Sequence, residues 1–89
     1  LCYAFNDIAP QAPVHFLVIP KAHIASVAGV NEENSAVVAH IFEVIAKLTK
    51  EKGIESYRVV SNIGEQAGQS VPHLHFHVLA GRDMTWPPG

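Results

Sequence analysis

His73-Leu74-His75-Phe76-His77-Val78-Leu79 alternates imidazole and apolar side chains without a break. In an extended strand, successive side chains point to opposite faces. The stretch is therefore expected to be a strand with His73, His75 and His77 on one face. Leu74, Phe76 and Val78 would lie on the other. Neighbouring rings would stand about 7 Å apart, two residues of strand rise. The chain has six histidines in 89 residues, and three fall inside this short run. Histidine is not a favoured strand residue, so three in register mark a candidate site.

Working outward, Gly64-Glu65-Gln66-Ala67-Gly68-Gln69-Ser70 is a small-residue loop before the histidine strand. Tyr57 to Ile63 reads as the preceding strand. The loop between them has the length of a β-hairpin connection. Asn31 to Lys52 reads as one long helix. Val37, Val38, Ile41, Phe42, Val44, Ile45 and Leu48 recur at helical spacing. Asn31 is the expected N-cap, Glu32 and Glu33 suit the positive end of the dipole, and Gly53 is the expected stop. Lys21 to Val30 is a connection with room for a short helical turn. Residues 2–6 and His15–Ile19 read as two further strands. Asp7-Ile8-Ala9-Pro10-Gln11-Ala12-Pro13 forms the turn between them, with two prolines that fix φ. His15, Leu17 and Ile19 should share one face, and Phe16 and Val18 the other. Met84 to Gly89 is an extended tail. The order strand, strand, helix, strand, strand predicts an α+β domain, with an antiparallel sheet and a helix on one face.

Length and composition narrow the function. Eighty-nine residues make one domain, residues 1–89, and a chain this short favours an oligomer. The formal net charge of −2 and the absence of a Lys/Arg block argue against a nucleic-acid partner. No apolar run approaches the about 20 residues of a membrane span, so no membrane partner is expected. The single cysteine, Cys2, cannot form an internal disulfide, and a cytoplasmic location is expected.

The histidines admit three readings. They could decorate a half-exposed strand. With His15 from a neighbouring strand they could offer three imidazoles to a metal, leaving one position open. Against that, no Cys, Asp or Glu lies within the cluster, and no metal or other cofactor is expected. The third reading is a nucleophilic imidazole that attacks phosphorus. It needs one nitrogen free and the other held as a donor. The loop supports phosphorus: Gly68 permits close approach of backbone N–H groups to an anion, and the Ser70 hydroxyl could donate to a phosphate oxygen or leaving atom. Alone, Gly-x-Ser is an ordinary turn; it gains weight beside the histidines.

Gln69-Ser70-Val71-Pro72-His73-Leu74-His75-Phe76-His77-Val78-Leu79 closely resembles the signature of the histidine-triad (HIT) superfamily. Asp7 to Pro13, His15 to Lys21, Val60-Ser61-Asn62 and the tail Trp86-Pro87-Pro88-Gly89 resemble its Hint branch. The resemblance implies a HIT-like fold with four to five antiparallel strands and one long helix, the sheet continuing across a homodimer two-fold. It implies hydrolysis of purine nucleoside 5′-phosphoramidates through a nucleotidyl-histidine intermediate. His75 matches the nucleophile. His73 matches the residue whose main-chain carbonyl orients it, and His77 a phosphate contact. His15 matches a further active-site histidine. Ser70 and Asn62 match phosphate or leaving-group contacts, and Gly68, Gln69 and Val71 the loop near the α-phosphate. Asp7 matches the ribose acceptor and Ile8 part of the purine pocket. In that branch the tail bearing Trp86 reaches the partner's active site and affects substrate choice.

Pro72 stands where many relatives carry a bulkier residue, and Asn6 where some carry histidine. Relatives have roughly twenty further residues upstream, which domain size alone would not require; the family's N-terminal segment is expected to be absent here. His23 and His40 read as surface residues, Ile45 and Phe42 as core or dimer seam, and Cys2 as a small buried apolar residue. Two other functions compete: a nucleotide-binding adaptor module with weak catalysis, and a metal-dependent hydrolase.

Overall fold

The computed structural model describes residues 1–89. Its regular elements are β1 (Cys2–Asn6), β2 (Val14–Pro20), α1 (Ser35–Glu51), β3 (Tyr57–Val60) and β4 (Phe76–Ala80). The strands form one antiparallel sheet in the order β1-β2-β4-β3. This is the expected α+β architecture.

Residues paired across antiparallel strands share a face. One face carries Phe16 and Val18 of β2 with Phe76 and Val78 of β4. These four pack with Ile41 and Ile45 of α1, and with Ile24 and Leu74, into a single buried core. The other face carries Phe5, Leu17 and His77 in one row, with His15 beside Leu79 in the next. The helix covers only the first face, so the histidine face stays open. The period-two alternation of β2 thus places Phe16 and Val18 on the core face and His15, Leu17 and Ile19 on the other, as expected, although His15 is itself buried there.

The helix is shorter than the expected Asn31 to Lys52 but holds the whole apolar pattern from Val37 to Leu48. Asn31 to Asn34 forms a capping turn ahead of the regular helix. The Asn31 Oδ1 accepts the N–H groups of Glu33 and Asn34, at 2.9 and 3.2 Å, and the Asn34 Oδ1 accepts the Asn31 N–H at 2.8 Å. This is a reciprocal capping box with Asn in both roles. At the other end Gly53 has φ +71°. The Gly53 and Ile54 N–H groups donate to the carbonyls of Lys50 and Thr49, the Schellman pattern. Thr49 is buried although polar, because its hydroxyl donates to the Ile45 carbonyl at 2.8 Å.

The strands before and within the histidine run also end early. β3 stops at Val60 and not at Ile63, and β4 starts at Phe76. The connection therefore runs from Ser61 to His75, longer than the hairpin loop expected. His73 and His75 lie outside the ladder. The cause is Val71-Pro72: proline has no N–H to pair, and the His73 N–H turns back to the Val71 carbonyl at 2.9 Å. The Leu74 N–H donates instead to the Ile24 carbonyl at 2.6 Å. Cys2, expected to be buried, is only half-buried.

Gly81, which ends β4, has φ +94°, and a Cβ built there would lie 2.9 Å from the Pro13 Cβ. The β1–β2 turn seats against the end of β4 only because that atom is missing. Gly81→Ala is expected to destabilise the fold by about 1–3 kcal/mol through backbone strain and displacement of Pro13. Thermal denaturation would measure it, and an unchanged midpoint would refute the close-approach argument.

Candidate active site

The three triad rings do not form a single row. His75 and His77 are neighbours, with ring centroids 5.0 Å apart and planes at 78°. That is closer than the strand-rise spacing expected, because His75 precedes the ladder. The His73 ring turns away: its Nε2 lies 3.0 Å from the Pro20 carbonyl and its ring 5.5 Å from that of His23. What His73 brings to His75 is main chain. Its carbonyl lies 2.8 Å from the His75 Nδ1. A carbonyl only accepts, so the His75 Nδ1 carries the proton and Nε2 carries the free lone pair. The His75 carbonyl in turn accepts the Ser61 hydroxyl at 2.7 Å.

His15 takes the place beside His77. It is buried on β2, with its Nε2 2.9 Å from the His77 Nδ1 and the ring centroids 5.1 Å apart. The His15 Nδ1 accepts the main-chain N–H of Gln11 at 3.0 Å. The Asp7 Oδ2 lies 3.4 Å from the His15 Nε2 and 3.8 Å from the His77 Nδ1. Its other oxygen accepts the Ala9 N–H at 2.8 Å, which anchors the carboxylate. The His77 pKa is lowered from the usual histidine value. Burial is the main cause; the like charges of His75 and His15 add to it, and Asp7 opposes.

Asp7, His15 and His77 place one donor atom each within 4.8 Å of one another, a spacing a metal could span. The hydrogen bonds speak against it. With Nδ1 accepting from Gln11, neutral His15 keeps its proton on Nε2, the atom a metal would have to bind. The donor set therefore fits a hydrogen-bonded imidazole chain better than a metal centre.

The loop before the triad is braced by Gln69. Its Oε1 accepts the Gly64 N–H, and its Nε2 donates to the carbonyls of Ala25 and Val71. Both ends of the amide are spent on loop shape. Gly68 has φ +93°, and a Cβ there would touch the Asn62 Nδ2 at 3.5 Å, so Asn62 and Gly68 lie side by side. Ser70 is exposed and Val71 is 56% exposed. Two expected residues stand apart from this cluster. Ile8 is fully exposed in the β1–β2 turn, and Trp86 is 83% exposed on the tail, beside a groove that includes Asn62 and Arg58.

Five contributors carry no mark of a site in the sequence. Ser61 follows the apolar end of β3, and nothing in its pattern marks a site. The Gln11 N–H and the Pro20 carbonyl are main-chain groups, which leave no mark in a side-chain pattern. Phe5 and Leu17, on the open face in the row of His77, carry only a strand pattern in the sequence.

These features define a histidine-based site on the open face of an antiparallel sheet. Residues 1–84 match the HIT domain family, and the chain belongs to it. A HIT-like protein of Synechococcus elongatus is 48% identical over 90 residues, covering 100% of this chain and 79% of that protein. Among solved structures, a HIT family hydrolase from Legionella pneumophila superposes with a TM-score of 0.95 at 48% identity, covering 99% of this chain and 80% of that one. A HIT family hydrolase from Clostridium thermocellum superposes with a TM-score of 0.88 at 46% identity, covering 92% and 73%.

Proposed function

We propose that this protein hydrolyses the P–N bond of purine nucleoside 5′-phosphoramidates. The observation that carries the reading is the 2.8 Å approach of the His73 carbonyl to the His75 Nδ1, which leaves Nε2 as a nucleophile. The neighbours named as HIT family hydrolases support hydrolysis in general. In this reading the His75 Nε2 attacks the α-phosphorus, the P–N bond breaks, and the amine leaves with a proton from Ser70 or a triad histidine. Water then attacks the phosphorus, breaks the P–Nε2 bond and releases the nucleoside monophosphate.

The open face suits such a ligand. Leu17, directly opposite His77, and Phe5 on the next strand offer an apolar platform beside the histidines, to which Ile8 adds the purine pocket. Asp7 accepts from the ribose hydroxyls. Asn62, Gly68 and Val71 line the phosphate loop, with Gln69 holding its shape. No metal is required, since positioned donors stabilise the added phosphorus charge. The active unit is a homodimer. β3 is an edge strand with unpaired main-chain groups, suited to continuing the sheet across a two-fold, and Trp86 from the second copy would approach the leaving group. A lone cysteine and the lack of any helix long and apolar enough to cross a membrane suit a cytoplasmic setting.

The test is release of AMP from adenosine 5′-phosphoramidate with chelator present throughout. Clear turnover is expected. Absence of turnover alongside AMP binding would replace the enzyme reading with a nucleotide-binding one. Turnover that collapses only in chelator would reinstate the metal.

A further inference from the structure

We propose that the β1–β2 turn sets the protonation form of His77: Arg82 holds the Gln11 main chain, the Gln11 N–H forces His15 to donate from Nε2, and His15 thereby holds His77 as a neutral ring protonated on Nε2. Each link is a hydrogen bond with one permitted direction. The Arg82 Nε donates to the Gln11 carbonyl at 3.0 Å, and the Gln11 side chain donates to the Ala9 carbonyl at 3.1 Å. The residue is thus pinned on both sides. Its N–H meets the His15 Nδ1 at 3.0 Å, so that nitrogen must be the acceptor and the His15 proton must sit on Nε2. Nε2 then donates across 2.9 Å to the His77 Nδ1, which must accept. The only tautomer left to neutral His77 has its proton on Nε2.

The arrangement also resists protonation of His77. A second proton on the His77 Nδ1 would face the His15 N–H. The titratable groups around His77 are His75 before it on the chain, His15 from β2 and Asp7 from the β1–β2 turn; β3 presents Val60 opposite. Only Asp7 could accept that proton, and its nearer oxygen is 3.8 Å away, beyond hydrogen-bond reach. Arg82 and Gln11 are therefore positioning residues that act on His77 through His15. The assignment of the proton stands on geometry alone. Its consequence, a neutral N–H donor aimed at a phosphoryl oxygen, rests on the hydrolase reading.

The test is imidazole nitrogen NMR on the full chain across a pH titration. Three variants are compared with wild type: Gln11→Pro, Arg82→Ala, and a ligated chain whose Pro10–Gln11 amide is replaced by an ester. Wild type should show His77 protonated on Nε2. In the ester chain His15 can move its proton to Nδ1 and accept from His77. The His77 midpoint should then rise by about one pH unit, the weight of one hydrogen bond to a charged group. An Nδ1-protonated His77 should become visible. Gln11→Pro should match it, and Arg82→Ala should move the same way by less. The acid limb of kcat/KM should follow the His77 midpoint. A folded ester chain with unchanged tautomer and midpoint overturns the proposal, and so does a wild-type His77 protonated on Nδ1. If Gln11→Pro fails to fold, the ester decides. Turnover missing from a wild type with the expected tautomer would count against the hydrolase reading and leave this proposal standing.

Discussion

His75→Ala should lower phosphoramidate turnover on the order of 10⁴-fold or more, with the fold intact. The size follows from removing the attacking atom: no other imidazole presents a free lone pair to the site, since the His73 ring is turned away toward Pro20 and His23. The His77 Nδ1 faces the His15 Nε2, the His15 Nδ1 faces Gln11, and the His73 Nε2 faces the Pro20 carbonyl. The fold should survive because His75 is only half-buried and lies outside the ladder. Its side chain makes one hydrogen bond, to the carbonyl of His73. His75→Asn is the sharper variant, since it keeps a polar group near that carbonyl while removing the nucleophilic nitrogen. Single-turnover measurement of AMP release checks both. A variant that retains more than about a tenth of wild-type turnover would contradict nucleophilic catalysis by His75.

Leu74→Ala should be the most destabilising single change near the site, costing about 2–5 kcal/mol. Leu74 is 1% exposed and packs in the core between two histidines that face elsewhere. Truncation leaves a cavity that its neighbours cannot fill without moving. Domains of this size carry only about 5–15 kcal/mol in total, so the melting temperature should fall by about 10 °C or more. The effect should reach the site, because the carbonyl of His73 and the ring of His75 flank Leu74 in the chain. Denaturant unfolding with and without AMP would measure both consequences. Leu74→Met, which keeps most of the volume, should recover most of the loss. A Leu74→Ala variant within about 0.5 kcal/mol of wild type would refute the packing argument.

The alternation of β2 was readable because its period survives folding. Phe16 and Val18 had to find a core, and β4 with α1 supplies it. The alternation in His73–His77 was misleading in its first half. A period of two states which face a residue would take in a strand; it does not state where the strand begins. Pairing decides that, and Pro72 has no N–H to offer it. The helix ends show the same division. Gly53 marked the stop through a φ that favours glycine. At the start the asparagine pair Asn31 and Asn34 built a turn of its own and moved the regular helix to Ser35.

Local chemistry written along the chain determined the α+β order, the choice of core face and the gathering of histidines toward one site. These depend on periodicity, proline and glycine, which act through neighbours in sequence. Tertiary structure decided the distances: the His73 carbonyl at the His75 Nδ1, His15 beside His77, and the Gln11 N–H at the ring of His15. Only the His15–His77 contact joins residues far apart in the chain; the other two span two and four residues and run through main-chain atoms that every residue possesses. No pattern of side chains can announce them; only the sheet register and the seating of the β1–β2 turn bring the atoms within hydrogen-bond distance.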